Sequence, residues 1–432
     1  MKSKNNIPPS VEGGIFYGWL TLAGVMLVIF IVGGAFVNSF GVFLPVICEE
    51  FGWSRAALAA ALSMSVLAFG LPSPLFGNLV AKHGARVNIV LGNLLAALAL
   101  AGMSLLQKVG HAYFLYILVG IGAGAGGYIA ATTIISNWFI RKRSLALGMF
   151  SACSGLAGFV FPPLTTVLIS TFGWRLSWLV LAGLVFLIAV LIGGLLIRNK
   201  PEDMGLLPDG QPIKPYLETE TPKHPSEKRD KVMEWRTKRI FRIPTTWFIG
   251  IFAAANTFAS GCMGAHQIAY LRDLGFSSMT AASTLSVMAV SNILGSLTFG
   301  SLALKYDVRH LASAGFLCQL TALSILLSTT NLTMMYIYAI FLGLATGSLI
   351  TAMPTFIGAY YGRERYAQVM GVVFPFQVVS HAMGAMVAGI IYDITSAYTM
   401  AFTIALVFGL VGLLCAFLAR PPKPSALGYS IS

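Results

Sequence analysis

The stretch "FGNLVAKHGAR" (Phe76–Arg86) returns as "FGSLALKYDVR" (Phe299–Arg309). Phe76, Gly77, Leu79, Lys82 and Arg86 become Phe299, Gly300, Leu302, Lys305 and Arg309, each displaced by 223 positions. Gly120 and Gly124 recur at the same displacement as Gly343 and Gly347. A repeat this long means that one architectural unit occurs twice. In membrane chains, two such halves place a binding site between them near the bilayer midplane.

Both copies are embedded in apolar sequence. Hydrophobic residues make up 57% of the 432 and charged ones 10%, against roughly a quarter charged in a soluble domain. A helix needs about 20 apolar residues to cross the hydrocarbon core, and twelve such stretches lie between 17 and 419. The reading is an all-α membrane protein with twelve transmembrane helices in two pseudo-symmetric six-helix bundles, 17–197 and 244–420. A cytoplasmic N-terminus (1–16), linker (198–243) and C-terminus (421–432) complete it. The linker holds 11 Lys/Arg, eight Asp/Glu and six Pro. Its end, "MEWRTKRIFRIP", interleaves Trp235, Ile240 and Phe241 with Arg236, Lys238, Arg239 and Arg242, suiting either a helix on an anionic membrane surface or a solvated basic loop.

The net charge of +13 does not indicate nucleic acid, because of where the cations fall. With the N-terminus inside, 24 of the 28 Lys/Arg are cytoplasmic, and only Arg55, Lys108, Arg175 and Arg272 face out. That asymmetry puts both termini in the cytoplasm, in a bacterial inner (plasma) membrane with lipids as the surroundings. The long apolar run after the N-terminus, with no small-residue cleavage site, reads as a retained first span. Cys48, Cys153, Cys262, Cys318 and Cys415 are scattered and lack metal-ligand spacing, so they read as packing residues, with no metal or cofactor expected. Glycine runs without a following Gly-Lys-Ser/Thr are packing surfaces and not phosphate loops. No buried acid is available for a Ser-His-Asp site, so an enzyme is not expected.

The twelve spans, linker and repeat resemble the major facilitator superfamily over essentially the whole chain. Its signature loop has the form G-x-L-x-D-R-x-G-R-R, and "GNLVAKHGAR" keeps Gly77, Leu79, Lys82, Gly84 and Arg86. Ala81 and Leu304 stand at the aspartate position of the two copies, so the carboxylate that latches helix ends in the family is missing. "EGGIFYGW" (Glu12–Trp19), "NWFIRKRSLALG" (Asn137–Gly148) and "NKPEDMGLLPDG" (Asn199–Gly210) narrow the resemblance to the branch of the oxalate-formate antiporters and monocarboxylate transporters. Glu12-Gly13-Gly14 and Gly18-Trp19 fit the monocarboxylate motif with extra residues between them.

Ionisable side chains inside a membrane are costly, by about 2.5 kcal/mol or more for Arg, Lys or Asp at a helix centre. No Asp, Glu, Lys or Arg lies well inside any span, which leaves His266 and His381 as the groups that could titrate there. The resemblance places a histidine at the substrate where His266 stands, and an imidazole can gain a proton with a carboxylate and lose it on release. His381, four residues after Gln377 on one helix face, offers a conditional cation where the antiporters keep a buried one. Each histidine has an alternative role as a hydrogen-bonded packing residue. Asn292 occupies the place of a substrate-site polar or acidic residue, and Ser296 stands where relatives carry arginine, so the family's anion-binding charge is absent. Asn38, Tyr128, Asn256 and Gln267 are further polar groups in apolar runs, fitting either interhelical bonds or the cavity. The resemblance also places a tyrosine at the substrate where Tyr128 stands. Lys82, Arg86, Lys305 and Arg309 mark gating loops.

The expectation is a monomeric secondary transporter of a small organic acid of low charge, moved by proton symport through His266 or His381 or by entry of the acid form. Dianions are disfavoured without a cation to offset them. A carrier of a neutral solute, such as a lactone, vitamin or drug, and a non-transporting sensor are the alternatives.

Overall fold

The computed structural model describes residues 16–210, 240–328 and 331–422, and these are helical outside turns and short connections. Glu12–Gly14 and the Trp235–Arg239 part of the basic interleaved stretch lie outside the described residues. Helices α1 (Tyr17–Phe51), α2 (Arg55–Gly70 and Ser73–His83), α3 (Ala85–Leu105), α4 (Val109–Trp138), α5 (143–172) and α6 (174–196) form the first half. Helices α7 (Pro244–Asp273), α8 (Ser278–Leu302), α9 (Val308–Ser328), α10 (332–361), α11 (363–395) and α12 (Thr399–Leu418) form the second. Among the described residues, nine continuous helices are long and apolar enough to cross a membrane, or ten if the α2 pair, bent by 46°, is one span. The chain is an integral, multi-pass membrane protein.

Two of those continuous helices, Arg143–Leu196 and Leu332–Thr395, have 54 and 64 residues. At about 1.5 Å per residue each far exceeds a hydrocarbon core of about 30 Å. Each breaks at a glycine in the left-handed region, Gly173 (φ 74°) and Gly362 (φ 70°). L side chains rarely adopt that conformation, and it redirects the chain without a loop. The fold-back is visible in the neighbours: Ile197 packs beside Gly24 while Cys153 donates to the Met26 carbonyl at 3.6 Å, two residues further along α1. Likewise Tyr338 of α10 donates to the Met263 sulfur at 3.3 Å, while the adjacent Cys262 donates to the Gly384 carbonyl of α11 at 3.1 Å.

The 223-residue repeat governs turn chemistry as well as motifs. α1 ends on Gly52 and α7 is followed by Gly275, both with positive φ (66° and 91°). The next helices begin at repeat-related caps: Ser54 accepts from the Ala57 amide and Ser277 from the Thr280 amide, both at 3.1 Å. A serine cap satisfies an otherwise unpaired amide at the helix start. Lipid supplies no hydrophobic drive between helices, so they associate through close packing at small residues. Gly92 and Gly122, for example, bring α3 and α4 so near that a Cβ on either would lie 2.6 Å or less from the other helix's backbone.

Candidate functional site

The halves meet at two repeat-related crossings on the side of the signature loops. A Cβ on Gly148 (α5) would lie 2.5 Å from the Ser296 carbonyl and 3.1 Å from the Cα of Gly300 (α8). Its counterpart Gly371 (α11) stands in the same relation to Ser73 (2.6 Å) and Gly77 (3.2 Å) of α2. Ser73 Oγ adds a bond to the Gly371 carbonyl at 3.1 Å. The Arg143 side chain, donating to the carbonyls of Phe139 (3.2 Å) and Ser136 (3.3 Å), fits against Gly358 of α10, where any Cβ would collide with it. Rings close the middle of this seam. Phe374 stacks on Tyr128 at 5.4 Å and 24° and meets Phe69 edge-on at 5.5 Å, while Tyr128 also touches Phe150 at 5.7 Å. The basic side of the molecule is therefore shut.

Above the rings lie the predicted polar residues, and the structure brings some of them together. Asn38 ends a π-helical turn of α1, Gly34–Asn38, a local widening that often marks a functional position. Its Nδ2 donates to the Gly33 carbonyl at 3.0 Å. Its Oδ1 then points at Gly158 of α5, where a Cβ would sit 3.2 Å away. Asn292 of α8 sends its Oδ1 to the same α5 face, 3.7 Å from a Cβ on Gly155. Two carboxamides, one from each half, thus approach one glycine-bearing face of α5 about a turn apart. Tyr128 lies at the base, as its ring contacts show. His381 is exposed. Gln377 is buried one turn earlier on α11.

Other predicted residues face neighbouring helices. His266 Nε2 donates to the Ala385 carbonyl at 3.0 Å and Nδ1 lies 3.3 Å from the Tyr398 hydroxyl, tying α7 to α11 and the start of α12. Gln267 is buried and donates to Thr284 Oγ1 at 3.4 Å. Ser296 is 0% exposed and donates to the Gly347 carbonyl at 3.2 Å, inside the α8–α10 contact. Asn256 is buried with its Nδ2 lacking a protein partner.

The signature loops behave differently in the two copies. Arg86 is bound through its amide to Asn199 Oδ1 (2.8 Å) and through Nε to the Gly194 carbonyl near the end of α6 (2.9 Å). Arg309 instead pairs with Asp307 at 2.7 Å, and its hydrogen bonds hold the Asp307 carboxyl below the usual carboxylate range. Lys82 and Lys305 are exposed. Sequence reading passed over Gly155, Gly158, Phe69, Phe374 and the Arg143–Gly358 contact. The repeat held one usable signal, since Gly148 and Gly371 are themselves 223 apart.

The family model of the Major Facilitator Superfamily matches residues 25–267 and 248–430. Monocarboxylate transporter 12 of Homo sapiens is 26% identical over 423 residues, spanning 93% of this chain and 79% of the relative. Monocarboxylate transporter 13 of Rattus norvegicus is 28% identical over 414 residues, spanning 94% and 88%. Among solved structures, the human organic anion transporter MFSD10 (TETRAN) superposes with a TM-score of 0.72 at 14% identity, covering 92% of this chain and 99% of that one. With both halves matched by the family and full-length relatives of this kind, the chain belongs to the Major Facilitator Superfamily of membrane transporters, and within it resembles the monocarboxylate transporters.

Proposed function

We propose that this chain carries a small organic acid of low charge, proton-coupled, by alternating access of two six-helix halves about a site at Asn38, Asn292, Tyr128 and His381. The monocarboxylate transporters it resembles suggest the substrate class. The carrying observation is the amide pair on the Gly155/Gly158 face. The Gly33 carbonyl can only accept, so it fixes Asn38 with Nδ2 toward Gly33 and the acceptor Oδ1 toward the site. A carboxylic acid in its protonated form suits that pair, its O–H donating to Asn38 Oδ1 and its carbonyl accepting from Asn292 Nδ2 once that amide turns over from the orientation in which Oδ1 faces α5. A carboxylate would set negative oxygen against the Asn38 acceptor with no Lys or Arg nearby. His381 and His266 are the groups that supply and recover the proton. At His266, Nε2–H stays on the Ala385 carbonyl while Nδ1 gains or loses a proton as Tyr398 turns from donor to acceptor. The positive-inside charge pattern supports a plasma-membrane protein of twelve crossings with cytoplasmic termini and a closed cytoplasmic side, ready to load from outside.

Reconstitution into proteoliposomes tests the reading. Saturable uptake of short monocarboxylic acids driven by an inward proton gradient is expected, with Asn38→Ala and Asn292→Ala each raising KM about tenfold for the loss of one good hydrogen bond. Gradient-insensitive flux of neutral solutes, which the uncharged site also suits, would overturn the acid reading. Absence of any flux would overturn transport through this site.

A further inference from the structure

We propose that residues 198–210, directly after α6, form a clasp that holds the basic side shut, with Glu202 and Arg363 as its tie across the halves. Both signature loops lack their carboxylate, with Ala81 and Leu304 in its place, yet the seam is closed. The strap that follows α6 supplies carboxylates there instead.

Its near end is bound to the first half at several points. The Arg198 carbonyl accepts from Trp138 Nε1 at 2.8 Å and the Asn199 carbonyl from Asn137 Nδ2 at 3.0 Å. Asn199 Oδ1 holds the Arg86 amide. The chain turns at Gly205 (φ 69°) and reaches Asp209, a non-glycine residue in the left-handed region (φ 60°). That uncommon conformation is kept where the surroundings enforce it. Here Asp209 aims both carboxylate oxygens at the loop between α4 and α5, accepting from the amides of Ile140 (3.0 Å), Arg141 (2.8 Å) and Lys142 (3.2 Å). Gly210 then lies against Phe16, with a Cβ there 3.0 Å from the ring.

Between these anchors, Glu202 Oε1 stands 2.6 Å from Nη1 of Arg363, which follows the α10–α11 break at Gly362. Asp203 is engaged within the strap, accepting from the Lys200 amide at 3.2 Å, so Glu202 is the acid that reaches the second half. Both partners are about a third exposed (34% and 38%). A pair so placed biases an equilibrium only modestly, by about two- to five-fold, which suits a latch that must release in each cycle. Opening of the basic side separates α11 from α2, and the pair must part with it.

Hydrogen exchange with mass spectrometry, on the full chain in lipid nanodiscs, tests the clasp. Glu202→Gln and Arg363→Gln are each expected to speed exchange about two- to five-fold in seam peptides 69–80 and 369–378 while α3 is unaffected. The exchanged pair Glu202→Arg with Arg363→Glu is expected to restore protection. Asp209→Ala, which leaves both charges in place, should loosen the same peptides by freeing the strap. Unchanged seam exchange in the three single variants, or an exchanged pair no better protected than either single, would overturn the clasp.

Discussion

His266 is a residue whose environment is compatible with proton traffic and with packing alike, because both ring nitrogens have partners yet one partner is a hydroxyl that can reverse its role. His266→Gln is expected to flatten the pH dependence of uptake, which otherwise rises as pH falls, with abundance within about 0.6 kcal/mol of wild type in stability, the typical worth of one interhelical bond in a membrane. Uptake measured across pH 5.5 to 8 in that variant decides it, and an unaltered profile would assign His266 to packing. Ser296 poses the opposite case. The family resemblance puts an arginine there, but in this protein the side chain is enclosed between Gly347 and the α5 crossing. Ser296→Arg is therefore expected to cost more than 3 kcal/mol and to lower the yield of folded protein, since an unpaired buried cation and overpacking act together. A well-folded Ser296→Arg protein that gained dianion binding would show that this position opens to the cavity.

Among the elements, the α5–α8 and α2–α11 crossings are built on equivalent glycines, and their equivalence can be measured. Gly148→Ala and Gly371→Ala each place a methyl group 2.5–2.6 Å from a carbonyl of the opposite half. Each should destabilise the closed basic side by about 1–3 kcal/mol and by similar amounts. Thermal unfolding in detergent and exchange at the seam would report it, and a large effect at one glycine with none at the other would refute the equivalence of the two crossings. The repeat made these crossings partly legible: the signature loops, Gly120/Gly343 and Gly124/Gly347 announce themselves at a fixed displacement. The π-turn of α1 left no comparable trace, because the Gly33-Gly34 pair that opens "GAFVN" (Gly34–Asn38) reads the same as the glycine pairs that serve helix packing elsewhere in the chain. What shapes that turn is its surroundings, since the Phe161 ring lies where any side chain on Gly34 would go.

For the whole molecule, the charge distribution predicts orientation. A fluorescent-protein fusion at the C-terminus is expected to glow and an alkaline-phosphatase fusion there to stay inactive, as for a cytoplasmic end; the reverse result would invert the sidedness of the clasp and of the closed seam. The missing midplane cation predicts selectivity: oxalate-like dianions should compete at least about a hundredfold more weakly than monocarboxylic acids, equivalent to about 2.7 kcal/mol, in a competition uptake assay.

Membrane residence, the helical class and the duplicated plan were legible from sequence because each rests on a periodic property: apolar runs as long as a bilayer is thick, loops of alternating charge, and a motif recurring at 223. Which polar residues share a site was not legible in that way. His266 and Gln267 are adjacent in the chain and face different helices, whereas Asn38 and Asn292, far apart in sequence, meet on α5 across Gly155 and Gly158. The replacement of the lost signature carboxylates by Glu202 and Asp209 was equally invisible, since an acid in a linker acquires a role only when the fold carries it to its amides and its arginine. Properties local in sequence follow from composition and spacing. Partnerships between distant residues follow from how close backbones can approach, which is decided by the packing of glycines and rings in three dimensions.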